Sequence, residues 1–535
     1  MEGERGDLRQ IRRLFLAGLG GVFLCAFGSV AIQVDGLIGP DGIMPAADFL
    51  AGARDYFGGA APYRIPSVFW LGAGSFALHL VCGLGVLFSA LLISGFAPRL
   101  CLAVLWALYL SISSVGNVFF GYQWDVLLIE ASACAFFFAP GGWTPASARE
   151  IQTSQLGLFL VRLLLARLFF LSGATKWLSG DPSWREGTAL HFHFWTQPLP
   201  AVPAWWADRM PDLLFQGGTY GTLLIELGLP LFVFAPRPFR HIAFVGFIGL
   251  QLVIGSTGSY GFFNLLTCVL CLTLLEDRDL AVAKHWIRRR VRARSEEFVT
   301  PSTQRAMDSQ LGGSSGADID VDPPVDRSVY ASWRMHFRRA RRSLAVAVMA
   351  IFILFAISAT LGPLGLGRLV PEPVQIVLQK LAPFRSFNGY GLFAVMTKER
   401  LEIEVEGSAD GESWRPYVFI YKPGPSDRVP RLAMPHMPRL DWQMWFASLR
   451  GCEGSPWFHR FLLKLLKGSE SVSGLLAENP FSDEPPRYLR TPTNHARFAR
   501  PNRDDGSWWS YEAVGHFCPT SELRGGRLVA ARLYD

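Results

Sequence analysis

Charge inside apolar stretches is the first place to look for chemistry. Arg162, Arg167 and Lys176 lie in an apolar run over 156–178, and Glu130 and Glu226 lie in two other runs. An ionisable group in hydrocarbon is costly, so it is expected to be paired or functional. Arg167 is the stronger case, since it stands deep in its run. Glu130 or Glu226 is its expected partner. Lys176 stands near the end of the run, where a long side chain can snorkel to water. His191-Phe-His193 is the nearest approach to a metal pair. Side chains two residues apart diverge on a helix, so joint ligation would require an extended backbone. Beside Trp184, Trp195, Trp205 and Trp206 the two read as interfacial histidines.

Of the eight cysteines, Cys25, Cys82, Cys101, Cys134, Cys268 and Cys271 fall inside apolar runs, where they act as small hydrophobes. Cys268 and Cys271 have C-x-x-C spacing, but mid-helix in lipid, not at a helix N-terminus that would stabilise a thiolate. Cys452 and Cys518 lie outside the runs and are the candidate disulfide pair. The chain has no P-loop, H-E-x-x-H or dinucleotide fingerprint. No catalytic residue, cofactor or metal is therefore assigned.

The elements that must position these residues are mostly membrane helices. Half of the 535 residues are apolar and only 18% are charged. Charge is absent from long stretches and dense between them, unlike a large soluble core. The net charge of +7 does not point to nucleic acid, because Lys and Arg cluster beside apolar runs, where they orient the chain in a bilayer. Runs near the 20 or so residues of a span occur at about 14–34, 68–94, 99–117, 125–140, 156–178, 219–236, 240–256, 260–275 and 344–364. The first is long enough to span and has no cleavage site behind it.

Arg5, Arg9, Arg12 and Arg13 place the N-terminus in the cytoplasm. Nine crossings put Arg99, Arg149, Arg237, Arg240 and the clusters at 288–294 and 338–342 on that same side. The expected fold is a polytopic α-helical membrane bundle of about nine spans with a C-terminal extracytoplasmic α+β domain. Its parts are residues 1–276, a transmembrane domain with an outer loop at 179–218; 277–343, a basic, partly disordered cytoplasmic linker; 344–366, the last transmembrane helix; and 367–535, a soluble domain.

In the soluble part, Leu401, Ile403 and Val405 alternate with glutamates, as in a half-buried strand. Turn residues at 407–413 and a second strand at 417–421 predict a hairpin. Helices are expected at 440–449 and 458–466, the latter closed by Gly468, and a third ending at Asn479-Pro480. The Trp- and Pro-rich loop 179–218 suits a membrane-interface element or a surface for apolar partners. Its stretch from Asp181 to Pro200 is expected to pack on the soluble domain, since both are rich in Trp that needs cover.

The sequence resembles the lipase maturation factor family. The resemblance rests on motifs that occur in the family's order over most of the chain. In the outer loops they are Gly36-Leu-Ile-Gly-Pro-Asp-Gly-Ile-Met-Pro45, Tyr122-Gln-Trp-Asp-Val-Leu-Leu-Ile-Glu130, Gly180-Asp-Pro-Ser-Trp-Arg185 and Thr196-Gln-Pro-Leu-Pro200. In the soluble part they are Asn388-Gly-Tyr-Gly-Leu-Phe393, Thr397-Lys-Glu-Arg400, Arg439-Leu-Asp-Trp-Gln-Met-Trp-Phe446 and Asn479-Pro-Phe481. The resemblance implies a multi-pass, non-enzymatic folding factor whose animal relatives help secreted lipases reach active form in the endoplasmic reticulum membrane. Its partners would be the bilayer and a secreted client. The chain lacks any N-x-S/T sequon, which allows a bacterial source and a place in the cell's inner membrane.

The resemblance makes Trp124, Asp125, Glu130, Asp181, Trp184, Arg185, Thr196, Gln197, Pro198, Asp441, Trp442 and Trp445 candidate client-binding or structural residues. A thinner likeness of the Arg167, Gly173 and Lys176 run to DoxX-type proteins and vitamin-K-dependent carboxylases implies the alternative, a membrane enzyme acting on a quinone or lipid.

Overall fold

The computed structural model describes residues 8–150, 152–285, 328–500 and 506–531. The middle of the expected linker, including the cluster at 288–294, lies outside the described residues, as does Arg5. Among the described residues, six helices are long and apolar enough to cross a membrane: Arg9–Ala31, Ser75–Ser94, Pro98–Val115, Gln155–Leu178, Asp212–Phe234 and Arg237–Thr257. Gln123–Phe138 has 16 residues, and Phe263–Leu274 and Val346–Leu361 are shorter apolar helices. Of the nine expected spans, six are helices of spanning length and three are shorter apolar helices. The last apolar stretch is the end of one helix, Ser328–Leu361, so residues expected in the linker are helical instead.

Local signals fix the helix ends. Ser154 accepts the Gly157 N–H at 3.0 Å and caps the helix that carries Arg167. Pro98 opens its helix at the first position. Gly95 ends Ser75–Ser94 with φ +85°, a conformation glycine adopts without strain.

Hydrogen bonds sort the helix ends onto two faces of the bundle. On one face the backbone N–H groups of Gln10 and Ile11 donate to the Asp277 carboxylate at 2.9 and 2.8 Å. There also Arg162 donates to the Thr273 carbonyl at 2.9 Å, Arg99 to the Ala139 carbonyl at 2.9 Å, and Arg240 pairs with Glu276 at 2.5 Å. On the other face Gln33, Asp125, Gln197 and Ser259 all meet the C-terminal domain. Successive helices therefore run between the two faces, the short ones included.

The C-terminal domain joins helices Arg439–Arg450 and Pro456–Leu466 to small antiparallel sheets. Its strands are β1 (Leu401–Ile403), β2 (Glu406–Ser408), β3 (Arg415–Pro416), β4 (Val418–Phe419), β5 (Leu476–Glu478), β6 (Tyr488–Arg490), β7 (Pro492–Phe498), β8 (Trp509–His516), β9 (Ser521–Arg524) and β10 (Arg527–Ala530). They form sheets of order β10-β9-β6-β2-β3, β1-β7-β8 and β4-β5. The alternating run 401–406 does not form one strand. It breaks at Glu404, and β1 pairs with β7 while β2 pairs with β3 and β6. The expected hairpin survives only as the short β2–β3 pair, and Val418 and Phe419 of the run 417–421 pair with β5 instead. The alternation misleads because Glu402, which should face water, is buried between Arg400 and Lys422. Gly468 follows Pro456–Leu466 with φ +68°, but the segment before Asn479-Pro480 is β5 and not a helix. One hydrophobic core runs from Phe15 and Phe23 in the bundle through Tyr109 and Trp442 to Phe458 and Phe461.

Candidate functional site

The two halves of the chain are joined by buried polar contacts. At the N-terminal end of Gln123–Phe138, Asp125 takes the Arg439 guanidinium in a two-pronged pair, Nη2 to Oδ1 at 2.8 Å and Nη1 to Oδ2 at 3.0 Å. Both side chains have zero exposure. The Tyr109 hydroxyl donates to Asp125 Oδ1 at 2.5 Å, and the Phe120 ring lies 3.7 Å from the guanidinium carbon. Burial opposes the charge on Arg439, but Asp125 and Tyr109 outweigh it and raise its pKa overall. Gln33 and Ser29 extend this contact, receiving the backbone N–H groups of Arg439 and Met437 at 2.9 Å each.

Deeper in the bundle Glu130 gathers Arg167 Nη1 at 2.6 Å, the Tyr390 hydroxyl at 2.8 Å and the Asn388 amide at 2.8 Å. Arg167 also donates to Thr360 at 2.8 Å and to the Asn388 carbonyl at 2.6 Å. The last helix, the chain beyond it and Gln155–Leu178 are thereby tied at one carboxylate. Lys176 makes a separate pair, its Nζ 2.8 Å from each Glu226 oxygen. Arg167 and Lys176 do not converge on one site.

The loop 179–218 is held against the C-terminal domain. Asp181 Oδ2 accepts the Met396 N–H at 2.6 Å, and Trp184 Nε1 donates to the Phe393 carbonyl at 3.1 Å. Burial would raise the Asp181 pKa, but hydrogen bonds from Ser183 and Met396 bring it below the usual range. The Arg400 guanidinium donates to the carbonyls of Trp195 at 3.2 Å, of Gln197, and of Pro198 at 2.9 Å. Trp445 Nε1 donates to the Thr196 carbonyl at 2.8 Å, and Trp442 Nε1 to the Ser259 carbonyl at 3.1 Å. Asp441 receives the N–H groups of Tyr421 and Lys422 at 2.7 and 2.8 Å, so it orders its own domain. Trp124 stacks on Tyr122 at 4.5 Å and meets Trp442 edge-on at 4.8 Å.

These contacts enclose a cavity of about 980 Å3 between the bundle and the C-terminal domain. Lys176, Glu226, His193, Tyr260 and Trp445 line it, among mainly apolar neighbours. His193 faces Tyr260 at 3.5 Å, whereas His191 sits against Phe215 and lies 3.8 Å from Asp212. The two histidines thus diverge and form no metal pair. Burial first, and Lys176 second, push the His193 pKa down to about 4. Burial first, and Arg439 second, do the same to His436, which touches Ser29 at 3.0 Å. Cys452 and Cys518 are joined in a disulfide with Cα atoms 5.5 Å apart. Cys268 and Cys271 are free thiols.

Most of the residues singled out in the sequence are buried at this junction. Arg185 is the exception, since it lies at the surface and donates to the Trp177 carbonyl at 3.0 Å. Arg400, Arg439, Tyr109 and Gln33 carry as much of the junction but were not singled out. Asp125 was the available signal for them, because a carboxylate in an apolar run requires a cation from somewhere. Sequence position could not say that the cation lies more than 300 residues away.

Residues 10–282 match the family model described as the lipase maturation factor transmembrane domain, and residues 386–519 match the lipase maturation factor C-terminal domain. The protein named lipase maturation factor 2 from Homo sapiens is 33% identical over 96% of this chain and 82% of its own length. The protein of that name from Gallus gallus is 32% identical over 96% and 81%. Lipase maturation factor 1 from Mus musculus is 29% identical over 96% and 87%. No solved structure matches.

Proposed function

The chain belongs to the lipase maturation factor family, and from that premise we propose that it is a membrane-embedded factor through which a secreted lipase reaches its active form. The observation that carries this reading is the match to both family domains, in order, at residues 10–282 and 386–519, with relatives that match over 96% of the chain. The family's members are named as maturation factors, and a non-enzymatic role accords with those names. The separate pairing of Arg167 and Lys176 gives no support to a membrane enzyme built around both.

Nine crossings fit the geometry, with the N-terminus in the cytoplasm and residues 384–531 outside. The C-terminal domain touches Gln33, Asp125, Gln197 and Ser259 at once. With Asp277 beside Gln10 and Ile11 on the opposite face, these can share one side of a membrane only if the short helices Gln123–Phe138, Phe263–Leu274 and Val346–Leu361 all cross. The Cys452–Cys518 bridge suits an oxidising compartment. That compartment is the endoplasmic reticulum lumen in a eukaryote, or the space outside the inner membrane in a bacterium.

The client surface is proposed to lie at the outer edge of the loop 179–218. Trp206, Leu213 and Leu214 are 63, 77 and 55% exposed there, whereas Trp184 and Trp195 are buried. Exposed apolar groups can cover a client's assembly surface until it is buried. In cells lacking this protein, a co-expressed client lipase should accumulate as inactive antigen, and the wild-type chain should restore activity per unit antigen. Equal activity per antigen with and without the chain would overturn the proposal.

A further inference from the structure

The cavity has walls that face the bilayer. Two of its sides are Asp212–Phe234 and Arg237–Thr257, the helices least enclosed by protein. Val245 and Val253 line the cavity yet are 68 and 56% exposed, so the space opens between these helices toward the hydrocarbon. Lining residues run from Val245 to Thr257, a rise of about 18 Å at 1.5 Å per residue. That is a little more than one leaflet of a hydrocarbon core about 30 Å thick. The Lys176–Glu226 pair in the wall is closed on itself and leaves no net charge in the deep part.

The other end is polar and unsatisfied. Tyr122, Trp124 and Gln443 line the cavity and are 8, 3 and 3% exposed. The Tyr122 hydroxyl, Trp124 Nε1 and Gln443 Oε1 have no hydrogen-bond partner among the described residues. Buried polar groups without partners are rare, and they ask for a ligand or water. Arg450 stands exposed at the rim beside the Phe446 ring, 5.8 Å away.

We propose that this cavity is a binding site for a bilayer phospholipid. One acyl chain enters between Asp212–Phe234 and Arg237–Thr257. Trp124 and Tyr122 donate hydrogen bonds to the head, Gln443 Oε1 accepts from it, and Arg450 meets the phosphate. An apolar segment of a client protein is the competing occupant. It is disfavoured because the opening faces lipid and because a peptide backbone would bring more polar groups than the deep wall can satisfy.

Gly221 and Gly249 supply the test. Both line the cavity, and a Cβ built on either meets nothing within 4 Å. Gly221→Phe and Gly249→Phe should therefore fill the space without clashing. The full chain is reconstituted in phosphatidylcholine and phosphatidylglycerol vesicles that contain a phosphatidylcholine with a photoactivatable acyl chain. Crosslinks are mapped by mass spectrometry. The wild type should carry adducts on Val245 to Thr257, and the two Phe variants should lose them about tenfold. Adducts at Leu87, an exposed residue away from the cavity, should persist as the control for folding. If a Phe variant fails that control, Trp124→Phe and Arg450→Gln carry the test, since each removes a head contact without filling the cavity. Adducts unchanged in all four variants would overturn the proposal. So would retention of only free fatty acid, or of only client peptide, by chain purified from native membranes.

Discussion

Replacing Asp125 by Ala should loosen the junction between the bundle and the C-terminal domain. The carboxylate takes both Arg439 nitrogens and the Tyr109 hydroxyl, and all of these groups are buried. Without it the guanidinium keeps only the Phe119 carbonyl, the Tyr109 hydroxyl and the Phe120 ring. Stranding a buried charge in this way is destabilising by about 3–5 kcal/mol. The Tyr109 hydroxyl loses its acceptor as well, worth about 1–3 kcal/mol. The two losses share one site and do not simply add, so about 4 kcal/mol is expected. Removing both charges in Asp125→Leu with Arg439→Met should bring most of that back, because well-packed apolar replacements of buried pairs are often near neutral. The assay is pulse proteolysis of the detergent-solubilised chain across a denaturant series, following release of the C-terminal domain. A double variant as unstable as Asp125→Ala, or a silent Asp125→Ala, would refute the reasoning.

Other predictions follow from the same contacts. His193 and His436 have pKa values lowered to about 4, against an ordinary 6.5, so the folded state holds them neutral. Their contribution is fully present above pH 6.5 and is lost as pH falls toward 4; domain release measured from pH 7 to 4 should rise, and less steeply in His436→Gln. Cys452→Ser removes a bridge between residues 66 apart; the chain-entropy model sets this at about 4 kcal/mol, readable as a lower melting midpoint that reductant reproduces in the wild type. Arg400→Met frees the carbonyls of Trp195, Gln197 and Pro198 and strands Glu402 beside Lys422 alone, so the loop at 195–200 should become protease-sensitive while the disulfide stays closed. Cysteines placed at Ser147 and Glu412, both exposed, should label from opposite sides of sealed vesicles; labelling from one side would sink the nine-crossing topology.

The bundle was legible because apolar length is a strong signal, and the helix ends lie within about seven residues of the apolar runs except at the start of Ser328–Leu361, well before its run at 344–364. Span count was harder. Gln123–Phe138 is short and carries Asp125 and Glu130, so its length argues against crossing while its contacts argue for it. Glu130 and Glu226 are the partners the sequence offers Arg167, because few carboxylates lie in apolar runs; Lys176, whose place near the end of its run suggests a reach to water, is instead buried against Glu226. The strand pattern at 401–406 failed for a related reason, since a buried ion pair reverses the side that alternation assigns to Glu402. The junction itself was hidden. Arg400 and Arg439 stand in motifs shared with the family, yet nothing in those motifs names their partners, and only the fold brings them against carbonyls and a carboxylate from the other half of the chain. The tryptophans of the loop 179–218 read equally well as a client surface or an aromatic belt, and most prove to be cover for the C-terminal domain.

Client maturation is expected to depend on docking of the C-terminal domain on the membrane bundle. The direct measurement is lipase activity per unit of lipase antigen in cells lacking the chain, complemented at matched membrane levels with the wild type, Asp125→Ala, or Asp125→Leu with Arg439→Met. The account predicts that Asp125→Ala leaves antigen normal and activity low, and that the double variant recovers toward wild type. Full activity from Asp125→Ala, in protein whose domain release shows the junction open, would contradict it.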